Sequence, residues 1–573
     1  MDAHINKIFP QLVSCIKRKK ENLFKFEITD EMIALTNYYS SNWHKKLDLN
    51  YKGIPLGHLV EYSVKGGANL YSIVQYLLAY EEHLQNNPDL QIGFFEALTI
   101  RGQAANIMLR NNNDFLFHPF FTYLQKKLCF SIMNKARHGK NTEIVLDKAA
   151  SNVLLLEKQH IPYVFLVSLR SYLNPMIPII NNLVQNEKVC LLLPEESKEW
   201  SELLEISKKT KIIFLEDLLD KELYQFLTKE KDKFKSKFYE DEDALKDFFQ
   251  YKGCSFWALL RPAFLNIYKN YFPYCKVWIE IAENVIQQYR PEKFVFSRIR
   301  RSIENAFLAV ATSNNIDTIQ LQHGHFNPES KAWFYGPGSL DSTNKICVFG
   351  NWHKNRIMNV YNNSIEKKIV VTGNPRWDKT YDYKTIDKLA IRNKLYRQIN
   401  LPIQNKWIMF ATQYATFGDI IKTLQNPLVN LKESNIIIKI HPGEKKKDYH
   451  KILTQKNRDR IRIIKNEYEQ FDILKAVDVV IVHSSTVFIE SLLVQTPVIF
   501  SMVNKIPIEN FDPTFYGLPV VKNQEELLSL LHKVLFDERY RETYIGKCNQ
   551  IASDLTKNSD GKAINRVLCA IKN

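Results

Sequence analysis

No Cys-x-x-Cys pair occurs in these 573 residues, and the eight cysteines (15, 129, 190, 254, 275, 347, 548 and 569) stand singly. That scatter excludes a disulfide frame or a cysteine zinc site and predicts reduced core thiols. No apolar stretch reaches the roughly 18 residues of a membrane-crossing helix. The most apolar segment, 478–500, is broken by His483, Ser484, Ser485, Thr486, Glu490 and Gln495. Zinc-finger, RNA-recognition and helix-turn-helix spacings are missing, so nucleic acid is not an expected partner. The opening Met1-Asp2-Ala3-His4-Ile5-Asn6-Lys7 lacks a secretory pattern. The expectation is a cytoplasmic protein, with the inner face of the membrane as a peripheral docking surface.

Acidic residues are the deficient sign. Sixty-two Asp and Glu stand against 78 Lys and Arg, leaving a formal charge of +16. Such an excess suits an anionic partner: a phosphorylated donor, an acidic polymer or a phospholipid surface. A solvated basic face accounts for it equally, since the basic clusters (Lys17 to Lys20, Arg298 to Arg301, Lys445 to Lys447) are spread along the chain. With 45% hydrophobic and 24% charged residues the composition is that of a globular protein. Its length exceeds what one hydrophobic core serves.

From Pro162 the pattern is α/β. Tyr163 to Ser168 is an apolar run of strand length, 169–174 a loop, Pro175 to Gln185 helical in spacing, and Val189 to Leu193 a second strand. Strand, helix, strand in that order implies a parallel sheet buried on both faces. Further strands are predicted at Ile212 to Leu215, Phe294 to Ser297 and Thr318 to Leu321, with a charged helical region over 225–290. A second series begins near Lys345, with strands at Ile346 to Phe349, Ile369 to Thr372, Trp407 to Ala411, Ile436 to Ile440, Ile461 to Ile464, Val479 to Val482 and Pro497 to Phe500. Two such series predict two doubly wound domains with ligands at the carboxyl ends of their strands. The expected division is a mainly helical N-terminal extension (1–155), a first Rossmann-like domain with a helical insertion (156–343) and a second with terminal helices (344–573). Within the first region, Tyr51-Lys52-Gly53-Ile54-Pro55-Leu56 echoes Tyr251-Lys252-Gly253-Cys254-Ser255-Phe256, and Pro88 and Asp114 precede Pro291 and Asp317 by the same interval. A degenerate internal copy and a chance likeness both explain this.

The strongest constellation lies in the second series. Strand Ile436 to Ile440 runs into His441-Pro442-Gly443-Glu444, and strand Val479 to Val482 into His483-Ser484-Ser485-Thr486 and a helix bearing Glu490. Hydroxyls and backbone N–H groups at a helix start suit a phosphate, and a histidine at a neighbouring strand end can donate to it. Glu490 is placed to accept from ribose hydroxyls, and Gln413, after strand Trp407 to Ala411, sits at the same edge. A plain helix cap and a plain strand end remain the alternative.

These residues resemble the HP and SS/ST motifs of GT-B bacterial capsule and surface-polysaccharide glycosyltransferases, a group that includes polysialyltransferases, capsular Kdo transferases and CDP-glycerol glycerophosphotransferases. Gly373-Asn374-Pro375-Arg376-Trp377-Asp378 is similar to their Gly-x-Pro-Arg-x-Asp segment. The resemblance implies a GT-B fold, two Rossmann-like domains facing each other across a cleft. It also implies a cytidine-nucleotide donor held by His441, Pro442, Ser484, Ser485 and Thr486, and a surface or capsular polysaccharide or lipid-linked glycan as acceptor. UDP-N-acetylglucosamine 2-epimerases share the scaffold, but their acidic, glycine-rich phosphate motif is missing here.

A second constellation is Gln322-His323-Gly324-His325, at the end of strand Thr318 to Leu321. Transfer to a hydroxyl needs a general base, and a histidine suits that task near neutral pH. His323 is the candidate base or donor-phosphate contact, with His325 as its substitute and Glu304 as its orienting carboxylate; a loop histidine satisfied by backbone is the alternative. Similar GT-B proteins carry a Gln-His-Gly or Trp-His-Gly at this location. A true base makes the transfer inverting. Arg298, Arg301, Ser168 and Asn174 are candidate acceptor contacts. Glu240-Asp241-Glu242-Asp243 reads as a solvated acidic run, and neither metal nor cofactor is expected. Two rivals stand beside the transferase: a nucleotide-sugar epimerase or hydrolase, and a non-catalytic glycan- or lipid-binding scaffold.

Overall fold

The computed structural model describes residues 30–67, 70, 73–74, 78, 90–97, 104–111, 114–116, 150, 153–251, 254–324, 342–361, 365–412, 431, 433–441, 444–449, 459–483, 485–503, 516–557 and 560–573. The chain divides into two compact units. The first comprises 1–173, 184–320 and 331–344; the second comprises 174–183, 321–330 and 345–573.

The first unit opens with helix α1 (Asp30–Asn42), a hairpin of β1 (Asn50–Tyr51) and β2 (Ile54–Pro55), the short helix α2 (Leu56–Leu59) and a π turn at Ser63–Gly67. Lys52 and Gly53 at the hairpin tip both have positive φ, 52° and 80°, the twist that two-residue antiparallel turns require. Strands β3 (Leu90–Ala97), β4 (Ala104–Asn111) and β5 (Asp114–Leu116) then form a small antiparallel sheet that the sequence pattern does not announce.

Next come β6 (Tyr163–Leu166), β7 (Val189–Leu193) and β8 (Lys211–Phe214). They are followed by the long helix α3 (Lys221–Phe248), a second hairpin of β9 (Gln250–Tyr251) and β10 (Cys254–Ser255), and helix α4 (Trp257–Asn266). A π turn at Ile267–Tyr271 leads into α5 (Phe272–Tyr289), then β11 (Lys293–Phe296), α6 (Ser302–Ser313) and β12 (Asp317–Leu321). Neighbours run β12-β11-β6-β7-β8, all parallel. The residues of β6 and β7 are buried throughout, which is why these strands appear as unbroken apolar runs.

The echo in the sequence has a structural counterpart. Each segment is a helix, a hairpin, a short helix and a π turn. The hairpin registers match position for position: Asn50↔Pro55 and Tyr51↔Ile54 against Ser255↔Gln250 and Cys254↔Tyr251. β3 and β5 begin at Leu90 and Asp114, and β11 and β12 begin at Lys293 and Asp317, the same interval on. The copies diverge between those strands, where β4 stands in place of α6. Both share one core: Tyr39 rings meet Phe248, Phe249 and Phe256, and Trp43 packs edge-on against Phe264 at 4.8 Å. The acidic run at 240–243 is not simply solvated. Asp241 is buried and accepts from Tyr268 and Lys237, and Glu242 binds Arg261 through both oxygens, because α3 turns that face toward α4.

The second unit contains the parallel pair β13 (Lys345–Val348) and β14 (Ile369–Val371) and a separate six-stranded sheet. That sheet is made of β15 (Lys406–Ala411), β16 (Ser434–Lys439), β17 (Ile461–Ile464), β18 (Val479–Val482), β19 (Val498–Ser501) and β20 (Val520–Val521). Its order is β17-β16-β15-β18-β19-β20, parallel throughout. Helix α7 (Val487–Leu493) follows β18, and α8 (Ala563–Lys572) closes the described chain. The expected α/β class with parallel, doubly wound sheets and a helical N-terminal region is what the structure has. Among the described residues no helix is long and apolar enough to cross a membrane.

Candidate active site

In the six-stranded sheet the chain passes outward from β15 to β16 and β17, then returns to the other side of β15 for β18, β19 and β20. The point where the order reverses lies between β15 and β18, the place where open parallel sheets bind ligands beyond their carboxyl ends. Register fixes what emerges there. Ala411 of β15 pairs with Lys439 on one side and with Val482 on the other. One residue past that shared level come Thr412, Ile440 and His483, at the ends of three adjacent strands spanning about 10 Å, and His441 follows Ile440. His441 and the Ser485-Thr486 turn therefore leave the same edge of one sheet. Gln413, Pro442 and Ser484 themselves lie outside the described residues.

His441 is exposed on a loop that polar groups lock. Its N–H donates to Thr412 Oγ1 (2.8 Å) and Glu444 Oε2 (2.9 Å), the Thr412 hydroxyl donates to the same carboxylate, and Tyr449 donates to Glu444 Oε1 at 2.6 Å. Glu444, in the same His-Pro-Gly-Glu stretch but without an expected role, is the brace that fixes the His441 backbone. Across β15, the N–H groups of Phe488 and Ile489 bond the carbonyls of Ser485 and Thr486, and that of Val487 reaches Ser485 Oγ at 3.4 Å. The N–H groups of Val487, Phe488 and Ile489 are thus engaged within the turn. What it presents are hydroxyls, Ser485 half-buried and Thr486 exposed and capping nothing.

Glu490 is buried and already engaged. It accepts from Trp377 Nε1 (3.4 Å) and from Gln470 Nε2, and Arg376 Nη1 lies 3.6 Å away. Lys439, on β16, has its ammonium pKa lowered by burial, with Glu490 opposing that shift and Arg376 adding to it. These charges thus feel one another beneath the edge. The Gly-x-Pro-Arg-x-Asp segment supplies this set. Gly373 has φ +87°, and a Cβ there would meet Ala563 Cβ at 2.9 Å. Asp378 accepts from Ala563 N and Ile564 N at the start of α8. The motif ties the terminal helix down while Arg376 and Trp377 hold Glu490.

His323 follows β12 and is half-exposed. The side chain of Gln322 shapes its loop by accepting from Phe349 N and donating to Gly324 O, each at 2.8 Å. Gly324 has no positive φ, and a Cβ there would meet open space, so Gln322 rather than the glycine makes the turn. His325 lies outside the described residues.

The first unit has its own reversal, between β6 and β11. Ser168 follows β6; Arg298, Arg301 and Glu304 follow β11. Ser168 Oγ donates to Glu304, whose other oxygen accepts from Arg300 N (3.0 Å) and Arg301 N, and Arg301 Nη1 donates to Ser168 O at 2.9 Å. Tyr172 bonds Arg298. Burial raises the Glu304 carboxyl against the pull of Arg301 and Ser168. The structure brings Ser168, Arg298 and Arg301 together with Glu304 as the capping carboxylate of α6, while Asn174 belongs to the second unit. Ser168 and Glu304 are both fully buried.

Residues 303–573 match the model of the family described as CDP-glycerol:poly(glycerophosphate) glycerophosphotransferase. No curated protein matches. Among solved structures the chain is similar to the UDP-GlcNAc 2-epimerase of Neisseria meningitidis bound to UDP-GlcNAc (13% identity, 72% of this chain and 100% of that one, TM-score 0.46). It is also similar to a glycosyltransferase of Rickettsia africae (13%, 72% and 99%, 0.46) and to the wall teichoic acid polymerase TagF soaked with CDPG (11%, 80% and 98%, 0.42). That family match takes in the HP and SS/ST stretches, so residues 303–573 are similar to a CDP-glycerol:poly(glycerophosphate) glycerophosphotransferase domain.

Proposed function

We propose that this chain transfers glycerol phosphate, or a sugar carried in the same way, from a cytidine-nucleotide donor to a hydroxyl of a growing surface polymer. The observation that carries this reading is that His441 and the Ser485-Thr486 turn follow the carboxyl ends of the two strands flanking β15, at the reversal of the sheet, within a region that matches the glycerophosphotransferase model.

In this reading Ser484, Ser485 and Thr486 donate hydroxyls to the donor's phosphates, and His441 donates from the other side; with Pro442 and Gln413 they seat the nucleotide. Glu490 orients Arg376 beneath it and leaves ribose recognition to residues nearer the surface. His323 takes the proton from the acceptor hydroxyl as that oxygen attacks the glycerol-bearing phosphorus. The bond from this phosphorus to the bridging oxygen breaks, and cytidine monophosphate leaves with the electron pair. Basic side chains and hydroxyls neutralise the leaving phosphate, so the step needs no metal or cofactor. Arg298 and Arg301 hold an anionic acceptor, with Glu304 and Ser168 fixing their loop. The protein works in the cytoplasm at the inner face of the membrane, where its basic excess favours anionic lipid.

Turnover tests this directly. CDP-glycerol incubated with the chain and a glycerophosphate-primed acceptor should release cytidine monophosphate in step with acceptor growth. Donor alone should stay intact. Rapid release without acceptor would make the chain a hydrolase, and no release with any primed acceptor would remove the transferase assignment.

A further inference from the structure

The first of the two repeated segments holds a cluster that the transfer reaction does not use. His44, in the turn after α1, His58 in α2, and Glu61 three residues on each offer a ligand atom, all within 4.8 Å of one another. His58 Nδ1 and Glu61 Oε1 are 2.8 Å apart, and the His44 and His58 rings meet nearly perpendicular with centroids 4.4 Å apart. His44 and Glu61 are each only 5% exposed. His44 Nε2 is buried with no hydrogen-bond partner. A buried imidazole nitrogen left unpaired is costly unless a ligand satisfies it.

The backbone is built to admit this ring. A Cβ at position 57 would stand 2.0 Å from His44 Cγ, so only glycine there lets the imidazole reach the His58–Glu61 turn. The other copy of the segment shows what this junction does. At the position matching Glu61 it carries Arg261, which ties α4 back to α3 through Glu242 at 2.5 and 3.0 Å. In the first copy the matching position holds the carboxylate of Glu61, which faces imidazoles instead of an arginine partner. Lys65, the nearby ammonium, is buried, but its Nζ makes no hydrogen bond to Glu61 or to any other group.

We propose that His44, His58 and Glu61 bind one divalent transition-metal ion, of the zinc class, which clamps α1 to α2. Two imidazoles and a carboxylate are a zinc-type donor set with one position left open. His58, half-exposed, opens the site to entering metal. The ion replaces the hydrogen bond now joining His58 and Glu61 and satisfies His44.

The test uses the full chain, purified without a histidine tag, stripped with chelator, loaded with zinc and desalted before elemental analysis. About one zinc per chain is expected, and cobalt in its place should give visible d–d absorption. His58→Ala and Glu61→Gln should each weaken retention by about tenfold or more. His58→Ala alters a partly exposed side chain, so its folding, checked by circular dichroism, keeps the test open if His44→Ala fails to fold. Wild-type chain without bound zinc would overturn the proposal, as would undiminished zinc in the folded His58→Ala and Glu61→Gln variants.

Discussion

Asp478→Asn should lower the unfolding free energy by about 3–5 kcal/mol, the cost of breaking a buried ion pair from one side. Asp478 is 3% exposed and sits just before β18. It accepts from Arg392 Nη2 (2.5 Å), Lys388 Nζ (3.0 Å) and Trp407 N (2.8 Å), with Arg541 at 3.4 Å. The Trp407 bond fixes the start of β15 against the start of β18, the two strands between which the sheet reverses. An asparagine keeps one acceptor and leaves the buried Arg392 and the partly buried Lys388 and Arg541 without their counter-charge. Burial alone would raise the Asp478 carboxyl; Lys388, Arg392 and the Trp407 N–H overcome it and hold the group well below the carboxylate range. An acid depressed in the fold contributes stability that is complete above its unfolded value, about 3.9, and is lost as pH falls through the folded one. Urea unfolding at pH 7 and at about pH 2.5 measures both effects. Wild type should begin to lose stability below about pH 4, and the variant should start lower and show a shallower fall.

His323→Ala should reduce transfer by roughly 10²–10⁴-fold, the range for loss of a general base. Folding should be intact, because Gln322 holds the loop through Phe349 N and Gly324 O. Donor binding should change little, which separates a base from a phosphate contact. An equal loss in donor affinity would move His323 to the donor phosphate.

How much of this was legible in the residues depended on burial. Strands such as Val479 to Val482 and Ile436 to Ile440 are covered on both faces, so they stand out as apolar runs, and the structure places them within two residues of expectation. β20 has two residues and β3 to β5 lack such runs, so pattern gave nothing to detect. The hairpin at 50–55 was visible only as a likeness to the one at 250–255. Side-chain networks were the least accessible part. Glu444 and Gln322 lie inside quoted motifs, yet that one braces His441 and the other the His323 loop follows from register and loop path. Glu490 could be placed on α7 by sequence, but the partners that engage it, Trp377, Arg376 and Gln470, come from distant segments. The acidic run at 240–243 misled for the same reason: a charged string on a helix hides its inward face until a partner such as Arg261 is known.

The central claim is that the edge formed by β16, β15 and β18 grips the phosphates of a cytidine nucleotide. Calorimetric titration of CDP-glycerol into wild type and into a His441→Ala, Thr486→Ala double variant tests it most directly. Wild type should bind, and the variant should bind about tenfold to a hundredfold more weakly, the loss of one or two charge-assisted hydrogen bonds. Equal binding by the two proteins, or tighter binding of a uridine or guanosine diphosphate by wild type, would contradict the account.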